Sequence, residues 1–109
     1  MKKLTIIAVI VSFLMISGCA ARQTSLLLND VESYIMERPD SALAVLDTMD
    51  RSRLSKDRLK AHHALLHAMA LDKNYIDVTD DSLASVAVSY FQKHGPKKYL
   101  ARSLYYKGL

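Results

Sequence analysis

The sequence predicts an all-α fold in which antiparallel helix pairs stack as a short solenoid behind a hydrophobic signal-peptide helix. Three observations lead there. From Leu26 onward apolar residues recur every three or four positions, the period of one helix face. Pro39 and Gly95-Pro96 interrupt that period, as helix punctuation does. Pro39-Asp40-Ser41-Ala42-Leu43 and Asp80-Asp81-Ser82-Leu83-Ala84 resemble each other at a separation of 41 residues, Ser41 set against Ser82.

The first element is the leader. Lys2 and Lys3 precede a run from Leu4 to Ile16 that is apolar apart from Thr5 and Ser12. Such a run engages a secretion machinery but falls short of the roughly 18 to 20 residues a spanning helix needs. Small residues then lead to Cys19, the one cysteine of the chain, so no disulfide can form within it. Residues 1–18 are expected as a signal peptide, and 19–25 as Cys19 and a spacer, since Ala20 to Ser25 lacks a hydrophobic period. An uncleaved signal anchor with an ordinary thiol is the alternative.

Residues 26–109 form the helical region, divided at about 26–50, 55–95 and a further first helix from 97. The first helix, about Leu26 to Arg38, places Leu27, Val31, Tyr34 and Ile35 on one face and leaves Asp30, Glu32 and Glu37 mostly elsewhere. Pro39 ends it. The second starts at Asp40 or Ser41, either able to cap free N–H groups, and presents Ala42, Val45, Leu46 and Met49. So short a link forces the pair antiparallel.

Ser55 is the expected cap of a third helix reaching about Lys73, apolar almost all round and so touching neighbours on several flanks. Thr79 or Asp80 is expected to cap a fourth, with the stripe Leu83, Val86, Ala87, Tyr90 and Phe91. Gly95-Pro96 closes it, and a fifth helix starts near Lys97. Its Leu100, Leu104 and Tyr105 lack a covering partner, so further repeats or self-association are expected to cover them.

Composition narrows function. The net charge of +4 falls to about +2 when residues 1–18 are removed, because Lys2 and Lys3 leave and all 11 acids stay. That modest charge, in an exported chain, argues against nucleic acid. His63 and His67 share a helix face at i, i+4 spacing, a possible start to a metal site. Yet Ala64 stands where a zincin needs glutamate, and His62 points elsewhere. No metal or other cofactor is expected. Nor is catalysis, since no nucleophile-elbow or phosphate-cradling glycine pattern exists. After Asp81 the chain carries Lys93, Lys97, Lys98, Arg102 and Lys107 and no acid. Tyr90, Lys97, Lys98, Tyr99, Arg102, Tyr105 and Tyr106 are the candidate partner-binding residues. Repeat packing and solvated charge are the simpler account of the same residues.

Ala84, Val88 and Pro96 fit the spacing Ala-x3-apolar-x7-Pro, and Leu104 and Gly108 fit the large-apolar and glycine positions of a following first helix. In this the chain resembles the tetratricopeptide-repeat (TPR) family, although Lys107 stands where that family usually has leucine, and the first pair keeps only Ala42 and Leu46. With Asp72 to Tyr75 and Thr79 to Leu83, residues 26–109 look like the opening of the divergent TPR lipoproteins of Gram-negative envelopes. The Ile16-Ser17-Gly18-Cys19 segment is similar to the bacterial lipoprotein signal, which implies cleavage before Cys19 and covalent lipid on it. The resemblance implies a scaffold anchored in the bilayer, by default in the outer membrane facing the periplasm, that binds an unidentified protein. The alternative is the extracytoplasmic input region of a larger signalling protein. On either reading the chain is expected to be a fragment, a truncated gene product, or a domain completed by another subunit.

Overall fold

The structure is a computed structural model that describes residues 20–77 and 81–108. The signal peptide, Cys19, Thr79 and Asp80 lie outside the described residues. Among the described residues the protein is all-α: α1 (20–34), α2 (Pro39–Thr48), α3 (Asp57–Lys73), α4 (Ser82–His94) and α5 (Lys97–Gly108), with a 3-10 turn at Arg51–Arg53.

Helix α1 is already formed at Ala20, so the residues read as a spacer are helical. Its buried stripe is Thr24, Leu28, Val31 and Ile35, one residue out of phase with the expected Leu27. Thr24 is buried, and its hydroxyl donates to the Ala20 carbonyl at 3.0 Å, which satisfies the polar group within the helix. The helix ends at Tyr34, whose carbonyl accepts from both Glu37 and Arg38 N–H. Pro39 then opens α2 from its first turn, where its missing N–H removes nothing from the ladder. Arg38, not Asp40 or Ser41, is the residue before the helix, and no side chain caps it. Asp40 instead lies in the first turn, where a carboxylate suits the positive end of the dipole.

Helix α3 ends at Lys73 as its pattern predicts, but starts at Asp57 after Lys56 without a side-chain cap. Leu59, Ala61, His62, Ala64, Leu65, Leu66, Met69 and Ala70 are buried, so α3 is the central helix. Helices α2, α4 and α5 all pack on it. Asn74, just past α3, donates to the carbonyls of Pro39 at 2.9 Å and Ala70 at 2.7 Å. His63, near the start of α3, reaches the Leu46 carbonyl near the end of α2. Helices α2 and α3 therefore run antiparallel.

Helix α4 buries Ala84, Ala87, Val88 and Phe91, while Val86 is 49% exposed. The stripe is rotated from the expected one: Ala84 and Val88 are buried with Ala87 and Phe91, while Leu83 and Tyr90 are half-buried at its edges. Gly95 has φ +64° and ψ −174°, a conformation open to glycine and strained for other residues, and its N–H donates to the Phe91 carbonyl at 2.9 Å. Helix α5 begins two residues later. Of its side chains only Ser103 is fully buried, with its hydroxyl on the Tyr99 carbonyl at 2.7 Å. Leu100 packs half-buried against the core, whereas Leu104 and Tyr105 are 52% and 62% exposed.

Candidate functional site

Helices α1, α3 and α5 meet along a line of cross-contacts whose residue numbers rise together. Glu32 and Tyr99 both meet His62, while farther along α3 Met69 shares a groove with Ile35 and Met36, in the turn that follows α1, and with Ala101, Arg102, Tyr105 and Tyr106 of α5. The three helices therefore point the same way and form the walls and floor of one open groove of about 520 Å³.

Its floor is apolar: Ile35 is 1% and Met69 4% exposed. Its rims are Met36, in the turn just past α1, and Tyr105 on α5, each 62% exposed. Tyr106, Ala101 and Arg102 complete the α5 wall, and Glu32 sits at the α1 wall. Large apolar side chains this exposed on either side of a concavity mark a surface suited to a ligand or partner.

Glu32 joins the three helices. The Tyr99 hydroxyl donates to its Oε2 at 3.0 Å, and His62 Nε2–H lies 3.1 Å from its Oε1. The His62 and Tyr99 rings stack with centroids 5.3 Å apart, and Phe91 lies against the Tyr99 ring at 5.2 Å. Both carboxylate oxygens are thus engaged. Burial, then donation to Glu32 and the charge of that carboxylate, push the Tyr99 phenol up to about 12. Burial foremost, and then the charge of Asp72, also raise the Tyr106 phenol above its ordinary value.

The candidate partner residues separate into groups. Arg102, Tyr105 and Tyr106 line the groove. Tyr99 forms its internal support, with the Lys98 ammonium 5.2 Å from its ring. Lys97 is exposed outside the groove, and Tyr90 stacks on His94 at 4.6 Å and against Phe91 at 5.3 Å. His63 and His67 meet edge to face at 5.5 Å on the side of α3 that faces α2. His63 Nε2–H donates to the Leu46 carbonyl at 2.9 Å, and His67 Nε2 lies 2.9 Å from Asp47 Oδ1. Burial depresses the His63 pKa, an effect the Leu46 contact opposes. Among the described residues no group of three or more side chains is placed to hold a metal ion.

Sequence reasoning missed Glu32 and Met36. Glu32 follows Val31 of the buried stripe and reads as solvated until His62, 30 residues away, and Tyr99, 67 away, are brought to it. Met36 lies beyond the last turn of α1, where no helical period assigns it a face.

Comparison with protein-family models, with curated proteins and with solved structures gives no match to this chain. Among the described residues no helix is long and apolar enough to cross a membrane.

Proposed function

We propose that this chain is a lipid-tethered interaction module that holds a protein partner in the groove between α1, α3 and α5. The observation that carries the reading is the groove itself: an apolar floor between the exposed rims Met36 and Tyr105. The direction shared by α1, α3 and α5, with α2 antiparallel to α3, supports a TPR-like solenoid in which the first helix of each pair lines one face. The charged start, apolar core and small residues before Cys19 support export and lipidation. Covalent lipid of two or more chains holds such a protein at a bilayer without a spanning helix. Outer membrane facing the periplasm is the default address. The reading assigns no catalytic step and no cofactor beyond the lipid on Cys19.

Two measurements test it. Mass spectrometry of the mature N-terminus is expected to find acylated Cys19 as the first residue and an uncleaved precursor in Cys19→Ser. An unmodified, uncleaved wild-type chain would end the tether argument. A photo-crosslinking residue at Tyr105 is expected to give a discrete protein adduct in the native envelope that is absent with the same residue at Val86, which is exposed on α4. Indistinguishable adduct profiles would end the groove argument.

A further inference from the structure

The two ends of the helical array carry opposite charge. Residues 20–50, which hold α1 and α2, have six acids against Arg22 and Arg38, a net −4 with histidine neutral. Residues 82–108, which hold α4 and α5, have Lys93, Lys97, Lys98, Arg102 and Lys107 and no acid, a net +5. None of these five cations forms an ion pair among the described residues. Helix α2 packs on α3 and, among the described residues, touches neither α4 nor α5. The carboxylates of α2 therefore stand across α3 from the cations of α5 and cannot neutralise them within one molecule.

Each end also exposes a leucine outside the groove. Leu26 on α1 is 58% exposed and Leu104 on α5 is 52% exposed, and neither lines the groove. Asp30 lies one turn after Leu26 on the same helix face, and Glu37, exposed in the turn past α1, follows it. Lys97 lies two turns before Leu104 on its face, and Lys107 one turn after it. Of the arginines at the acidic end, Arg38 lies over the Tyr34 ring at 4.8 Å, and Arg22 stands one turn before Leu26, on the side away from Asp30 and Glu37. An apolar centre with acids on one end of the chain thus has its counterpart, with the sign inverted, on the other. Like charges disfavour pairing of either face with itself, whereas unlike charges favour the contact of one face with the other. The occupant that carries the needed face is a second copy of this chain.

We infer that copies of the chain associate head to tail, the α5 face of one docking on the α1 edge of the next, with Leu104 against Leu26 and with Lys97 and Lys107 toward Asp30 and Glu37. The contact uses neither the groove nor its partner, so it stands apart from the reading above.

Sedimentation velocity of the full chain, with detergent micelles in excess over protein so that shared micelles are rare, tests the inference. Wild type is expected to form species larger than a dimer as concentration rises, since a head-to-tail contact leaves a free face at each end. Changing Lys97 and Lys107 together to glutamate is expected to weaken association at least about tenfold, and changing Asp30 and Glu37 together to lysine is expected to do the same. An equimolar mixture of the two double variants is expected to regain association, because each then offers the charge that the other lacks, a gain that misfolding cannot mimic. Raising salt from about 0.1 M to about 1 M is expected to weaken the wild-type contact. Wild type that stays monomeric at every concentration would overturn the proposal. So would an Asp30→Lys, Glu37→Lys chain that associates as wild type does, which would assign the contact to α5 pairing with itself, or a mixture no stronger than its components.

Discussion

Replacing Tyr99 with phenylalanine tests the joint on which the groove depends. The ring keeps its contacts with His62 and Phe91, and Glu32 keeps His62, so the change removes one donor 3.0 Å from a carboxylate oxygen. A hydrogen bond to a charged acceptor contributes about 1.5 to 3 kcal/mol. The Glu32 side chain is 23% exposed, so water replaces part of that bond, and the expected loss is about 1 to 2 kcal/mol. For a domain of this size that lowers Tm by roughly 5 to 15 °C. Urea unfolding followed by circular dichroism near neutral pH is expected to show a lower midpoint at unchanged slope. Tyr105→Phe, at an exposed ring, is the control and is expected to change nothing.

Alkaline titration sharpens the test. Between pH 10, the ordinary phenol value, and about 12, the unfolded chain gives up the Tyr99 proton while the folded chain keeps it. Stability contributed by the neutral phenol is complete below pH 10 and is lost as pH rises through that window. The gap between wild type and Tyr99→Phe should therefore narrow from pH 10 upward. A gap under about 0.5 kcal/mol at neutral pH, well below the cost of a charged hydrogen bond, or one that stays constant through pH 11, would refute the account of this joint.

Three further outcomes follow from the same structure. Leu66→Ala, at a fully buried position of α3, is expected to cost about 2 to 5 kcal/mol by chemical denaturation, whereas Leu104→Ala is expected to stay within about 0.5 kcal/mol. Gly95→Ala is expected to cost about 1 to 3 kcal/mol from torsion alone, because φ is +64° and the nearest atom to an added Cβ is Lys97 N at 3.9 Å. Equal midpoints for Gly95→Ala and wild type would contradict that backbone geometry. Burial holds the His63 pKa below 6.5, so its contribution to stability is complete above pH 6.5 and is lost as pH falls toward the folded value. An NMR titration of the His63 ring should give a midpoint under 6.5, and a midpoint above that would contradict the packing described here.

Helix existence and the positions of α2, α3 and α5 were legible because their periods are long and Pro39 and Gly95-Pro96 punctuate them. Helix phase was less so. Leu26, Leu27 and Leu28 are consecutive, so apolarity alone cannot choose among them, and it is Leu28 that is buried, one turn after Thr24, whose hydroxyl bonds to its own helix backbone. In α4 the largest apolar residues suggested the buried face, but Ala84 and Val88 are buried and Val86 turns outward. The expected caps Asp40, Ser41 and Ser55 are not used: proline geometry starts α2, and α3 starts after Lys56. The groove was partly legible, through Arg102, Tyr105 and Tyr106. The Glu32, His62 and Tyr99 joint was not, since a buried polar cluster is specified by tertiary partners far apart in sequence and has no local period.

The early start of α1 bears on reach. A flexible six-residue spacer would let the fold wander roughly 13 Å from its attachment with free orientation. Instead α1 is formed at Ala20, and Glu32 lies about 18 Å along its axis at 1.5 Å per residue. If Cys19 carries lipid as proposed, a helix formed from the next residue would act as a stem and not a leash, and would keep the groove mouth within about 20 Å of the bilayer. A partner held in the proposed groove would then stay close to that height. Such confinement would raise its effective concentration for neighbours in the same membrane.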